Sequence, residues 1–140
     1  MSFDGPSQDR LALRDLLDAY ADAVCRRDGD AWAATWTEDA LWSLPGVGVV
    51  EGRANIAETW RVAMRSFPEI HFRAWPGSIR IDGERARMRS YTEERYLRDD
   101  TLHRTLGVYE DVCRSVGGRW LFAERRFQPL PRLSIEEASA

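Results

Sequence analysis

The chain contains no lysine: all 20 of its basic residues are arginine. That excludes a Schiff-base enzyme, because imine formation and pyridoxal phosphate attachment both need an amine nucleophile. It also excludes the lysine of a phosphate-binding P-loop. Histidine is nearly as scarce, with only His71 and His103. They stand 32 residues apart and His103 follows the Asp99-Asp100 turn, so no metal-ligand spacing is visible and no metal is expected. No apolar run approaches the ~20 residues of a membrane helix, and MSFDGPSQD has neither a charged start nor an apolar signal core. The net charge of −3 comes with no basic block, so nothing marks a nucleic-acid partner. Cys25 and Cys113 are the only cysteines. Two thiols fit a reducing compartment better than a disulfide framework, so a cytoplasmic protein with both reduced is expected.

What is present organises itself around residues 9–28. Leu13, Leu16, Leu17, Tyr20, Ala21, Val24 and Cys25 fall on one stripe at helical spacing, while Arg14, Asp18, Asp22, Arg26 and Arg27 take the other face. An amphipathic helix of about five turns follows, preceded by a loose arm over 1–8 with Ser7 or Asp9 as its cap. Asp30 caps a short second helix, AWAATW, ending near Thr37. ALWSL and VGVVEG then read as a small hairpin turning at Pro45-Gly46. The glycines of GVGVVEG superficially suggest a dinucleotide loop, but Val49 and Val50 prolong a strand where that loop must enter a helix, so no nucleotide cofactor is expected.

A third helix covers 53–66, and four long strands follow at 70–81, 85–97, 102–116 and 119–127, joined by Asp-Gly, Asp-Asp and Gly-Gly turns. Helices first and an antiparallel meander afterwards describe an α+β domain over 9–129, with helices covering one face of a strongly curved sheet. The proline-broken tail, 130–140, is expected to be partly disordered or laid over a neighbour.

Certain stretches carry a resemblance in their order and spacing: Tyr20 followed by RRDGDAWAATWTEDALW, Glu51-Gly52 before the third helix, EIHF, GVYEDVCR and GGRWLFAERRF. In them the chain resembles the SnoaL-like group of the nuclear-transport-factor-2-like superfamily, relatives of scytalone dehydratase and lindane dehydrochlorinase. The resemblance implies a cone-shaped antiparallel or mixed sheet, covered by three N-terminal helices, and a pocket inside the cone. It implies that His71 holds the place of the family's catalytic histidine. It also puts Cys25 where relatives carry the aspartate that orients it, so the dyad is altered. Tyr20 lies one turn earlier, and Gly107 and Tyr109 match cavity-lining strand positions. Relatives are commonly dimers, so a homodimer is expected.

Chemically, Cys25 is either a small buried hydrophobe or a thiol partner of His71. Tyr20, Tyr91 and Tyr109 supply phenol donors able to polarise a carbonyl, or are simply core and rim. Trp42 and Trp75, with Trp36 and Trp60, suit the walls of a pocket for a flat apolar molecule. Arg73, two residues from His71, shares its face and is placed to meet an oxyanion. The expected activity is that of a lyase or isomerase without a cofactor, abstracting a proton from a small, hydrophobic and cyclic substrate. His71, Cys25 and Tyr20 would form its catalytic group. The alternative is a ligand-binding or assembly module that kept the cone and lost the dyad.

Overall fold

The structure is a computed structural model and describes residues 2–138. Eight strands and three α-helices follow in the order β1 (Phe3–Asp4), α1 (Ser7–Arg26), α2 (Gly29–Ala33), β2 (Trp36–Leu44), β3 (Gly48–Glu51), α3 (Arg53–Met64), β4 (Ile70–Asp82), β5 (Arg85–Arg98), β6 (Thr101–Val116), β7 (Arg119–Pro129) and β8 (Ile135–Ala138). The strands form one curved mixed sheet ordered β1-β4-β5-β6-β7-β2-β3, with β8 also paired to β6. The expected α+β cone is therefore present. β4 to β7 form the antiparallel meander, while β1 joins β4 and β2 joins β7 in parallel.

The concave face holds the core. α1 lays Leu13, Leu17, Tyr20 and Val24 against it, and the four tryptophans Trp32, Trp36, Trp42 and Trp60 fill the space between α2, β2 and α3. The stripe of apolar residues at helical spacing explains why α1 packs there. No described helix is long and apolar enough to cross a membrane.

Three local expectations are corrected. The N-terminal arm is not loose: Phe3 and Asp4 pair in parallel with Ile79 and Arg80, and α1 begins at Ser7 after Pro6, with no side-chain cap. Asp9 instead accepts a bond from Trp120 Nε1 at 3.1 Å, tying the first helical turn to β7. The second helix stops at Ala33, because Trp36 is drawn into β2 beside Phe122 of β7, where its indole is completely buried. The tail, finally, is laid on its own domain: a single 3-10 turn at Pro131–Leu133 leads into β8, which pairs with residues 101–104 of β6. Residues 139 and 140 of the expected tail lie outside the described residues.

Candidate active site

The meander lines the cone with rungs of side chains from adjacent strands. Met88, Asp111 and Arg125 make the deepest rung, followed outward by Ser90, Tyr109 and Phe127, then Thr92 and Gly107, then Phe72, Glu94 and Thr105. Gly107 is required in its rung: a Cβ there would lie 2.2 Å from the Phe127 ring.

At the base sits a buried polar network, in which Arg125 Nη1 is left without a hydrogen-bond partner among the described residues. Arg125 and Asp111 are 0 % and 3 % exposed. Arg125 Nε donates to Asp111 Oδ1 at 2.8 Å, and its Nη2 donates to Ser90 Oγ at 2.9 Å. Ser90 Oγ in turn donates to Asp111 Oδ2 at 2.9 Å. The guanidinium lies 3.8 Å from the Tyr109 ring centroid and 4.5 Å from that of Tyr20. Above it, Trp42 Nε1 donates to the Tyr109 hydroxyl at 3.1 Å. Burial raises the Tyr20 phenol above its ordinary value and Tyr109 well above it, while the Arg125 charge pulls both back.

Between this floor and the mouth is a cavity of about 160 Å³. Tyr20, Trp42, Trp60, Phe72, Tyr109 and Phe127 contribute aromatic walls, and Glu94 is the one carboxylate among the described residues in its lining. Glu94 makes no hydrogen bond or ion pair with any described residue. Burial alone pushes its carboxyl up to about 7. Its charge is nevertheless felt by Tyr20 and Tyr109, whose phenols it raises. A carboxyl balanced near neutrality can take or return a proton, and phenols across the cavity can donate to a developing oxyanion.

Of the residues expected in the site, the structure brings together Tyr20, Trp42 and Tyr109, each less than a tenth exposed. It does not bring His71, Arg73, Trp75 or Tyr91. These four lie on the outer sheet face, where Trp75 stacks on Tyr91 at 6.1 Å and Arg73 covers Trp75 at 5.1 Å. The reason is a bulge between Pro76 and Ser78. Beyond it Ile79 points inward, and strict alternation back from Ile79 would aim His71 into the cone; the extra residue reverses the phase and aims Phe72 there instead. His71 is exposed and, with Cys25, lines a separate open groove.

The Cys25 thiol is engaged with the backbone of β4. Its Sγ donates to Phe72 O at 3.1 Å and accepts from Phe72 N at 3.2 Å, closing backbone groups of β4 that would otherwise lack partners. A phenylalanine thus occupies the place in the cone where the resemblance implied a histidine. His71→Ala should accordingly change stability by no more than ~0.5 kcal/mol, as for other exposed positions. Cys25→Ala should cost about 1 kcal/mol through the lost backbone bonds. Denaturant midpoints of the two variants measure both, and a large loss for His71→Ala would contradict its placement.

Glu94 and the Arg125–Asp111–Ser90 network went unread in the sequence. The signal for Glu94 was there: Ala86, Met88, Ser90 and Thr92 alternate inward on β5, and the next inward position is Glu94.

The SnoaL-like domain model matches residues 6–126. No curated protein matches the chain. Among solved structures, it is similar to hexachlorocyclohexane dehydrochlorinase LinA-type3 of Novosphingobium barchaimii, with 16 % identity, a TM-score of 0.78 and coverage of 95 % of this chain and 92 % of that one. A protein of Novosphingobium aromaticivorans provisionally assigned as a scytalone dehydratase has 19 % identity, a TM-score of 0.78 and coverage of 94 % and 92 %. Another from that organism, provisionally assigned as an aromatic ring hydroxylase, has 28 % identity, a TM-score of 0.78 and coverage of 91 % and 92 %. Three such different activities on one fold leave the chemistry to be argued from the cavity itself.

Proposed function

The chain belongs to the SnoaL-like domain family, and on that premise we propose that it is a lyase or isomerase working without a cofactor, with Glu94 in place of histidine as the proton-transferring group. The observation that carries this reading is the single unpartnered carboxyl, with its pKa pushed up to about 7, in an aromatic cavity. An acid-base group is most effective when it titrates near the working pH.

Glu94 would remove a proton beside a carbonyl or leaving group. Tyr109, and Tyr20 beside it, would meet the negative charge that develops at the other end of the substrate. The Arg125 guanidinium behind both rings favours that charge electrostatically without touching the substrate. The substrate class that fits is a small, hydrophobic and planar ring, since the cavity is smaller than the ~300–1,000 Å³ of drug-sized pockets.

Incubation with small cyclic ketones and enones in deuterium oxide tests the reading. Enzyme-dependent incorporation of deuterium next to the carbonyl is the expected result, and no incorporation across the set would defeat it. The second reading, a module that binds ligand without turnover, is favoured by one observation: Phe72 stands where a catalytic histidine was implied. Binding without exchange identifies it. A homodimer remains a proposal, with the Trp75–Tyr91 stack of the outer sheet face as its natural contact, and a molar mass measured in solution decides it.

A further inference from the structure

The catalytic reading uses Glu94 as a proton carrier, but a carboxylate among aromatic rings has a second consequence when it is ionised. A buried charge with no partner is costly, and any ligand that supplies the opposite charge recovers that cost on binding. Among the described residues that line the cavity no cation supplies it, and Arg98 is held over the Phe67 and Tyr96 rings. His71, Arg73 and Arg95 belong to the outer sheet face. Arg27 is bound to the carbonyl oxygens of Met64 and Phe67. Arg125 is held under the phenol rings by Asp111, in a pair that is neutral overall.

We propose that the cone cavity binds a small organic ammonium ion, a quaternary or tertiary nitrogen with methyl-sized substituents, between the Glu94 carboxylate and the aromatic walls. Trp42, Trp60 and Tyr109 come from three different elements and surround this space. Cations are attracted to the faces of such rings, with tryptophan the strongest partner. One of these rings already accepts a cation from behind, since the Arg125 guanidinium lies 3.8 Å from the Tyr109 centroid.

The donor count decides between kinds of ammonium. A primary ammonium brings three N–H donors that each need an acceptor. Here one carboxylate and two phenols face the ligand, and the Tyr109 hydroxyl already accepts from Trp42. A quaternary head group needs no acceptor at all, only charge and ring faces. Its compact shape also suits a volume of about 160 Å³.

The inference stands apart from the catalytic reading, because binding needs no proton transfer. Its test compares choline with 3,3-dimethylbutan-1-ol, the uncharged carbon isostere, by calorimetry at pH 8, in the parent and in Glu94→Gln. Choline should bind about tenfold more tightly than the alcohol to the parent. In Glu94→Gln that preference should vanish, with affinity for the alcohol retained, which also shows that the variant is folded. An alcohol that binds as tightly as choline would overturn the inference by showing an apolar pocket alone. Choline binding that survives unchanged in Glu94→Gln would overturn it by placing the ion elsewhere, and so would an absence of choline binding. Deuterium exchange without choline binding leaves the catalytic reading intact, and the converse result leaves this one.

Discussion

Glu94→Gln should abolish enzyme-dependent proton exchange, lowering it by about 10²–10⁴-fold, the usual contribution of a positioned acid-base group. In the parent, exchange that depends on the ionised carboxylate should rise with pH through about 7, where Glu94 titrates. Glutamine keeps the shape and removes the titration. The same substitution has a readout that needs no substrate. Burial raises the Glu94 carboxyl from 4.5 to about 7, so between these values the folded protein holds a proton that the unfolded chain releases. Folding stability from this group is therefore fully present below pH 4.5 and is lost as pH rises through 7. The loss is on the order of 2 kcal/mol, allowing for the partial exposure of the side chain. Glu94→Gln should not show it, and should be more stable than the parent at pH 8 by that margin. Urea midpoints at pH 5 and pH 8 measure the difference. If parent and variant share one pH profile, the carboxyl is not desolvated and its catalytic role falls with it.

Arg125→Met should give the largest loss of stability of any single change at the site, about 3–5 kcal/mol. The arginine itself contributes less than that. Its removal leaves Asp111, 3 % exposed, with a charge answered only by the Ser90 hydroxyl. A thermal midpoint lower by roughly 10 °C is the expected observation. The double variant Arg125→Met/Asp111→Leu should regain most of the loss, because an ion pair replaced whole by apolar side chains leaves no buried charge behind. A double variant no more stable than the single one would mean that packing around Tyr20, Tyr109 and Phe122, and not charge, is what Arg125 supplies. In proton exchange, the single variant should also weaken the phenol donors, whose ionisation the guanidinium favours.

Much of the architecture is local in origin and could be read directly. The stripe from Leu13 to Val24 makes one long amphipathic helix, and Asp82-Gly83 and Gly117-Gly118 end strands because glycine accepts the positive φ that those turns require. Absence of lysine, and of a glycine loop running from strand into helix, removed whole classes of chemistry. Tyr20 and Tyr109 reached the cavity as expected, since an inward helix stripe and an uninterrupted run of alternation on β6 carry enough information to fix which way they point, and Trp42 joins them there from β2.

His71 shows where that information ends. Facing in or out on a strand depends on counting by twos, and one added residue near Pro76 reverses every side chain before it. Nothing in EIHFRAW marks the bulge, because the bulge is made by pairing with β5. Glu94 and Arg125 show the other limit. In the sequence both sit in charged runs that look like solvated surface; only the closing of the cone over β5, β6 and β7 separates Arg125 from its exposed neighbour Arg126 and brings it to Asp111 at 2.8 Å. Residue types and their periods determined the helices, the meander and the aromatic character of the core. Which histidine was left outside, which carboxyl was left without a partner and which arginine was buried were decided by tertiary structure, since register, desolvation and charge pairing exist only once distant strands meet.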